Sequence, residues 1–324
     1  MKTIPYRESD HGDFQDEWLH HKKTSGWWYV TGYFEDESKN MYSYQYTLIR
    51  PYLFGLSPYI LQLALTDFNN NRHRYTQRVK LFNRDVTISG EIIRFGELST
   101  LRNNAGDMGL AVRTRDFELD LRLDKNKGAF WHCDNGVLVM GLPENRNQRT
   151  VYYSYPNMPT GGRLRVAGEE RTVSGKSWFD RQYGPFDVKN QRTHWEWFSL
   201  RFFDDEEIML FSFPQNNYGD GTYITSDRKT HRLRDYVIHP REFIEVIGSK
   251  FSHGWKVVIP GVKDGEYEIR PLSRGQMNLG YFELLAEIIN TKAKRVGYCF
   301  VELLAGARNA DKRPELGLLL RSTG

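Results

Sequence analysis

Residues 26–50 read GWWYVTGYFEDESKNMYSYQYTLIR, two aromatic runs separated by a short polar segment. Within each run, large aromatic or β-branched residues alternate with smaller or polar ones, which is the period-2 pattern of half-buried β-strands. The intervening segment, 36–40, consists of charged and polar residues that favour turns. This stretch therefore predicts two strands joined by a turn.

The same pattern recurs along the chain, in about eighteen short runs of near-even spacing separated by turn-like segments such as 69–71 and 134–136. Closing antiparallel strands into a barrel removes exposed edges, and about eight strands enclose one small ligand. We therefore predict an all-β fold of two tandem antiparallel β-barrels packed closely together. The predicted domains are residues 1–180 and 181–324.

Composition excludes several classes of protein. The chain has 324 residues, of which 39% are hydrophobic and 14% aromatic, so it is neither fibrous nor disordered. Its net charge of +4 is scattered, which argues against a nucleic-acid partner. No apolar run reaches the roughly 18 to 20 residues of a transmembrane helix, and the N-terminus lacks the apolar core of a secretory signal. We expect a cytoplasmic protein without a transmembrane segment.

Common metal and cofactor motifs are missing from the sequence. It contains no glycine-rich nucleotide loop, no HExxH, no GxSxG and no EF-hand loop. Cys133 and Cys299 are far apart and flanked by aromatic residues, which indicates two buried thiols rather than a disulfide. His20 and His21 are adjacent, so they do not converge on one ion. We predict no metal and no cofactor.

The densest group of chemically distinctive residues is 174–186, SGKSWFDRQYGPF. Asp180 lies there between the aromatic residues Trp178 and Tyr183, and burial against such rings would raise the pKa of its carboxyl group, as a general acid requires. In an extended strand Arg181 points to the opposite face and need not neutralise Asp180. Alternatively, the Asp–Arg pair caps a turn or joins a structural charge network. Asp180 is the candidate catalytic acid.

A second candidate segment, 194–203, reads HWEWFSLRFF. Strand alternation places His194 and Glu196 on one face, where they could share a water or a proton, and they are candidate catalytic residues. Trp195 and Trp197 lie on the other face and could form the wall of a pocket, although core packing is the more frequent role of such a pair.

Aromatic clusters at 27–29 and 152–155 could line a cavity for a flat apolar ligand or fill an ordinary barrel core. Together with the segments above they give the candidate substrate-binding residues, which are Tyr153, Trp178, Trp195, Trp197, Tyr183 and Trp28. The predicted partner is an apolar small molecule, and the sequence leaves the oligomeric state open.

Five landmarks follow one another in a characteristic order: GWWYVTG with YQYTLIR, YYS with GGRL, VSGKSWFDRQYG, WEWFS, and YFE with GYCFVEL. They resemble the family of carotenoid 1,2-hydratases (hydroxyneurosporene synthases) and the related AttH-type proteins, which have two lipocalin-like barrels in tandem. Each landmark alone is weak, but the five in this order are specific to the fold. The resemblance implies that the two predicted barrels are lipocalin-like.

The resemblance also implies acid catalysis on an apolar, isoprenoid-like substrate without a metal or an organic cofactor. An acid in the position of Asp180 would protonate a carbon–carbon double bond, and water would capture the resulting tertiary cation. The face of an aromatic ring such as Trp178 stabilises a desolvated cation by about 0.5 to 2 kcal/mol. His194 or Glu196 would orient the water.

The sequence departs from the carotenoid hydratases at several positions. Arg181 follows the acid where many members have His, Tyr183 replaces a Trp, and Tyr152 and Tyr153 stand where His and Trp are expected. The same fold also hosts cyclases that promote pericyclic ring closure by shape. The leading hypothesis is a hydratase, lyase or isomerase acting on an isoprenoid-like molecule such as a terpenoid or carotenoid. The alternatives are a pericyclic-type cyclase and a lipid- or pigment-binding protein without turnover.

Overall fold

The computed structural model describes residues 3–4, 17–53, 55–82, 84–141, 144, 147–187, 194–246, 248–308 and 321–323. The chain divides into two compact units. The first comprises Met1–Trp131, Val151–Pro185 and Leu320–Gly324, and the second comprises His132–Thr150 and Phe186–Leu319. The predicted boundary after residue 180 falls inside the first unit, because the strand that carries Asp180 continues to Gly184.

The first large sheet is antiparallel and takes its strands from the chain up to Gly184. Its order is β6-β5-β4-β3-β15-β14-β11-β10-β9-β8-β7, with β12 and β13 also paired to β14, while β1 and β2 form a separate parallel pair. The strands are β1 Thr3–Ile4, β2 His20–His21, β3 Ser25–Asp36, β4 Met41–Arg50, β5 Tyr59–Asp67, β6 Arg72–Lys80, β7 Val86–Ile88, β8 Ile92–Phe95, β9 Ser99–Asn103, β10 Asp107–Arg113, β11 Phe117–Asp124, β12 Phe130–Trp131, β13 Val137–Val139, β14 Arg149–Val166 and β15 Glu169–Gly184.

The second large sheet is also antiparallel and has the order β19-β18-β17-β16-β24-β23-β22-β21-β20. A short 3-10 helix, Pro214–Asn216, follows β17. The strands are β16 Glu196–Phe202, β17 Glu207–Phe213, β18 Tyr218–Ile224, β19 Thr230–Leu233, β20 Val237–Val246, β21 Ser249–Val258, β22 Glu266–Pro271, β23 Tyr281–Asn290 and β24 Arg295–Leu304.

Each large sheet is curled into an antiparallel half-barrel, which confirms the all-β prediction and the tandem lipocalin-like architecture. In each sheet the described strands form an open hydrogen-bonded series, from β6 to β7 in the first and from β19 to β20 in the second. Among the described residues, none forms a helix with the length and apolar character needed to cross a membrane.

The turn between β3 and β4 shows how local sequence sets these strands. Asp36 Oδ1 accepts hydrogen bonds from the backbone N–H groups of Ser38 and Asn40, both at 2.9 Å, and Lys39 adopts a φ of 65°. An aspartate side chain that accepts hydrogen bonds from the backbone N–H groups of the following residues mimics a backbone turn. The turn predicted at 36–40 is therefore confirmed.

The sheet of the first unit is buried on both faces near Asp180. One face carries an apolar core whose members include Trp28, Val30 and Phe34 of β3, Leu61, Leu63 and Leu65 of β5, and Phe179 of β15. The residues between these, such as Thr31 and Gln62, point to the opposite face and are buried as well. The first unit therefore has an apolar face and a second buried face that is rich in hydroxyl and amide groups.

The core of the second unit is built mainly from β16, β21, β23 and β24. Its members include Phe198, Leu200, Trp255, Leu284, Cys299 and Val301. Cys133 is buried too, and both cysteines are free thiols, which confirms the prediction made from their spacing and neighbours.

Candidate active site

Asp180 lies in the middle of the first sheet, on β15 between β3 and β14. Its direct cross-strand neighbours are Tyr29 on β3 and Ser154 on β14. Residues directly opposite in an antiparallel pair share a face, so these three side chains lie on the polar buried face of the sheet. Trp178, two residues earlier on β15, lies on the same face. The side chain position of Asp180 is therefore set by strands on both sides.

Three side chains donate hydrogen bonds to one oxygen of Asp180. The donors to Oδ1 are the Tyr152 hydroxyl at 3.0 Å, the Trp178 indole Nε1–H at 2.5 Å, and the Ser154 hydroxyl. Asp180 is 3% exposed and the three donors are fully buried. We call Tyr152, Ser154, Trp178 and Asp180 the Asp180 cluster.

The surroundings of Asp180 act on its charge in opposite directions. Burial disfavours the ionised carboxylate, whereas hydrogen bonds to a carboxylate oxygen favour it. All three donors are neutral groups, and each is held by a strand rather than by a loop. Donors fixed in advance around a carboxyl oxygen are suited to stabilise the negative charge that forms there when a proton leaves.

Arg181 is directed away from this cluster, as strand alternation predicts. Its guanidinium hydrogen-bonds to backbone carbonyls, with distances of 3.0 Å to Glu17 O, 2.8 Å to Leu19 O, 3.2 Å to Trp27 O and 2.9 Å to Gln182 O. The side chain is buried, and desolvation lowers the pKa of the guanidinium to about 10. The Arg181 guanidinium therefore makes its hydrogen bonds on the opposite face of the sheet from Asp180.

The other aromatic residues predicted to bind substrate in the first unit lie on the face of Arg181. Tyr153 belongs to the apolar core, with its ring 6.2 Å from that of Phe179. The Trp28 ring lies 4.3 Å from the Arg181 guanidinium. The Tyr183 hydroxyl donates to Glu17 Oε2, and its ring stacks on His21 at 3.8 Å. Of the candidates in this unit, Trp178 is the one that the structure brings to Asp180.

The predicted residues from 194 to 197 all belong to the second unit. Both oxygens of Glu196 accept hydrogen bonds from the Arg308 guanidinium, at 2.7 and 2.6 Å, and Ser252 donates to Oε1. His194 Nδ1 lies 2.9 Å from the backbone oxygen of Ala305. The Glu196 carboxylate is thus held in a bidentate ion pair inside its own unit.

The two tryptophans of this segment are also buried in the second unit. Trp195 donates from Nε1 to Glu302 Oε1 at 2.8 Å, and its ring meets that of Phe211 edge-on at 5.8 Å. Trp197 is 2% exposed.

A cleft of about 700 Å³ opens on the first unit, lined in part by side chains of the face that carries Asp180. Ser174, Lys176, Trp178 and Asp180 occupy every second position along β15, so all four project from the same side of the strand. The lining combines aromatic, aliphatic, hydroxyl and charged groups, namely Tyr33, Phe34, Glu35, Arg122, Asp124, Pro159, Thr160, Gly161, Ser174, Gly175 and Lys176.

Sequence reasoning selected Tyr153 and missed Tyr152 and Ser154 as partners of the acid. A signal was present, because neighbouring residues on a strand face opposite sides and only one tyrosine of the pair can share the face of Asp180. Choosing between them requires the register of β14 against β15, which pairs Ser154 with Asp180. In the described part of the chain, no three His, Cys, Asp or Glu side chains converge as metal ligands would.

Comparison with known proteins gives one family and several structures. The AttH-like family model matches residues 9–306. An AttH-like protein from Nitrosomonas europaea has a TM-score of 0.83 at 19% identity, covering 94% of this chain and 99% of its own. Kievitone hydratase from Nectria haematococca has a TM-score of 0.70 at 18% identity, covering 87% and 89%. CghA has a TM-score of 0.52 at 8% identity, covering 87% and 88%. No curated protein matches the sequence significantly.

Proposed function

This chain belongs to the AttH-like family, and from that premise we propose that it is a cofactor-independent hydratase that adds water to a carbon–carbon double bond of an apolar, isoprenoid-like small molecule. Asp180 is the proposed general acid. The observation that supports this role is the buried carboxyl group whose Oδ1 accepts hydrogen bonds from Tyr152, Ser154 and Trp178. Kievitone hydratase has the same fold, which makes a hydration reaction compatible with it.

The proposed reaction begins with proton transfer from Asp180 to the alkene. Because Oδ1 faces three donors, the transferable proton is assigned to Oδ2. The π electrons of the double bond form the new C–H bond, the O–H bond breaks, and the more substituted carbon becomes a cation. A water molecule attacks that carbon and gives up a proton to the Asp180 carboxylate. The acid is regenerated, and the product is a tertiary alcohol.

The donors of the Asp180 cluster contribute most at the moment of proton transfer. At that point negative charge develops on a carboxyl group that is shielded from bulk water, where fixed dipoles act strongly. The Trp178 indole N–H is bound to the acid, so its ring would lie beside a carbon that Asp180 protonates. An aromatic ring in that position would stabilise the cation by about 0.5 to 2 kcal/mol.

The cleft beside Lys176 is the proposed site for the rest of the substrate. Lys176 and Asp180 are four residues apart on one strand, a distance of about 13 Å. A ligand with its double bond at Asp180 and a hydrogen-bonding end in the cleft would pass Trp178. Hydroxyl and charged groups in the cleft suit a polar end, and Tyr33 and Pro159 suit an apolar body. The proposal assigns no step to His194 or Glu196, which are engaged within the second unit.

The test is hydration of an alkene panel in heavy-oxygen water by the purified protein and by Asp180→Asn. We use kievitone, geraniol, retinol and a carotenoid as substrates, with mass spectrometry to detect label in the product. Asp116→Asn is the matched control, because Asp116 is an exposed turn aspartate of the same unit. We expect labelled alcohol from the wild type and the control, and a loss of about a hundredfold to ten-thousandfold in Asp180→Asn. Full activity of a folded Asp180→Asn would eliminate the acid role.

The three donors on Oδ1 also support a second candidate function. If they hold Asp180 as a carboxylate, the residue cannot donate a proton, and the cluster would instead orient a ligand for shape-driven cyclisation. In that case Asp180→Asn, which preserves the size of the side chain and an acceptor oxygen, would retain part of the turnover. The product would be an isomer of the substrate and would carry no heavy oxygen.

A further inference from the structure

Two neighbouring loops of the first unit expose large apolar side chains. In the connection between β4 and β5, Tyr52 is 37% exposed and Leu56 is 64% exposed. Immediately after β6, Leu81 is 65% exposed and Phe82 is 76% exposed. We call these four residues the apolar tip. Side chains of this size are normally turned inward, so a group of them in adjacent loops marks an interaction surface.

Both loops leave the sheet at the same end. β5 begins at Tyr59, which pairs with Lys80, the last residue of β6. The loop that precedes β5 and the loop that follows β6 therefore start side by side. Leu53 and Leu56 exchange two backbone hydrogen bonds, at 2.8 and 2.9 Å, which closes the first loop into a tight turn. The apolar tip thus consists of exposed side chains on two loops at one end of the sheet.

Positive charge accompanies the apolar tip. β6 is an end strand of its sheet. Three basic residues, Arg78, Lys80 and Arg84, lie towards the tip end of this strand or just beyond it, whereas Arg72 stands opposite Asp67 at the other end of β6. Lys80 has a partner in Asp85, at 3.5 Å, so one acidic side chain lies beside the group. Lys80 and Arg84 therefore place positive charge next to the two loops.

We propose that the apolar tip inserts into the surface of a membrane that contains anionic lipids. Tyrosine, leucine and phenylalanine side chains partition into the boundary between headgroups and acyl chains, and nearby arginine and lysine side chains are attracted to anionic headgroups. This contact goes beyond the proposed reaction and is independent of it, although apolar substrates accumulate in such membranes.

The experiment is flotation of the full chain with two kinds of vesicle, one of phosphatidylcholine alone and one containing phosphatidylglycerol. The tip variant carries Leu56→Ser with Phe82→Ser. The matched control carries Phe203→Ser with Phe243→Ser, which removes two exposed phenylalanines of the second unit, 52% and 45% exposed. We expect the wild type and the control to float with the anionic vesicles, and the tip variant to bind at least about tenfold more weakly. All three proteins should show the same thermal unfolding.

A third variant, Lys80→Gln with Arg84→Gln, tests the contribution of charge. It should weaken binding to the anionic vesicles, and added salt should weaken wild-type binding in the same direction. The proposal is overturned if the wild type floats with neither vesicle, or if the tip variant binds as the wild type does. It is also overturned if removing Phe82 converts a dimer to a monomer in light scattering, because a second copy of the chain would then cover the tip.

Discussion

Ser154 lies directly opposite Asp180 on the neighbouring strand, and its hydroxyl donates a hydrogen bond to Oδ1 of Asp180. The contact joins β14 to β15 on the polar buried face of the first sheet. Strand pairing fixes both backbones, so the hydroxyl is held in place before any ligand binds. The acid and its donor are therefore a property of the sheet and not of a mobile loop.

Ser154→Ala should reduce the rate of hydration while preserving the fold. A hydrogen bond to a charged group contributes about 1.5 to 3 kcal/mol, so kcat/KM should fall by about tenfold to a hundredfold. The measurement is the rate of heavy-oxygen incorporation. Ser43→Ala, at a buried serine of β4, is the control and should keep wild-type activity. An equal loss in both variants would mean that packing, rather than the donor to Asp180, accounts for the effect.

Local chemistry was sufficient to predict β3, β4 and the turn between them. The aromatic alternation at 26–50 corresponds to β3 and β4, and the turn between them is fixed by Asp36 and its own neighbours. These features depend on residues a few positions apart. The same alternation correctly directed Arg181 away from Asp180, since successive side chains on a strand face opposite sides.

The composition of the site depended on long-range pairing that no local pattern records. Whether Tyr152 or Tyr153 accompanies Asp180 is decided by the register of β14, which includes a shift between Tyr155 and Met158. Likewise, the contact between Glu17 and Tyr183 joins positions far apart in the chain. Alternation gives the face of a residue relative to its own strand, but it gives neither the neighbouring strand nor the register.

Gly161→Phe should block the proposed substrate cleft without destabilising the sheet. A Cβ at this position would meet a single atom within 4 Å, Val173 O at 3.8 Å, so the backbone has room for a side chain. We expect a higher KM with an unchanged free energy of unfolding. Gly90→Phe, in the connection between β7 and β8 where a Cβ would meet no atom within 4 Å, adds the same ring outside the cleft lining and should leave KM unchanged. Unaltered kinetics of Gly161→Phe would remove the cleft from the proposal.

Gly32→Ala should strongly destabilise the first unit. An added Cβ would lie 2.5 Å from Tyr44 Cε1 and 2.6 Å from Ser177 Oγ, both inside van der Waals contact and in a buried region. Overpacking of this kind costs about 1 to 3 kcal/mol. Urea denaturation should show the midpoint reduced for Gly32→Ala and close to wild type for Gly109→Ala. Equal midpoints would contradict the close approach of β3, β4 and β15 at this position.

Stability should fall as the pH drops below about 6.5, partly because of His132. Burial lowers the pKa of this fully buried imidazole from 6.5 to about 3. Between pH 6.5 and about pH 3 the unfolded chain binds a proton at this histidine that the folded chain does not. Each decrease of one pH unit in that range therefore lowers the free energy of unfolding by about 1.4 kcal/mol. Urea unfolding from pH 7 to pH 4.5 should therefore show a smaller decline for His132→Gln than for the wild type. His231→Gln, at an exposed histidine, should show the same decline in unfolding free energy as the wild type. An identical decline in the wild type and both variants would show that His132 does not contribute to it.

Arg181→Met should destabilise the protein more than the loss of an ordinary surface charge. The guanidinium donates to the carbonyl oxygens of Glu17, Leu19, Trp27 and Gln182, and a thioether leaves these buried acceptors without that donor. Leaving a buried hydrogen-bonding group unsatisfied costs about 1 to 3 kcal/mol. Arg181→Lys keeps the charge but has three donors for four acceptors, so its stability should fall between those of the wild type and Arg181→Met. The measurement is the free energy of unfolding in urea, with the exposed Arg115→Met as control. If Arg181→Met unfolds at the same urea concentration as the control, the two contacts to Glu17 O and Leu19 O do not hold that segment against the sheet.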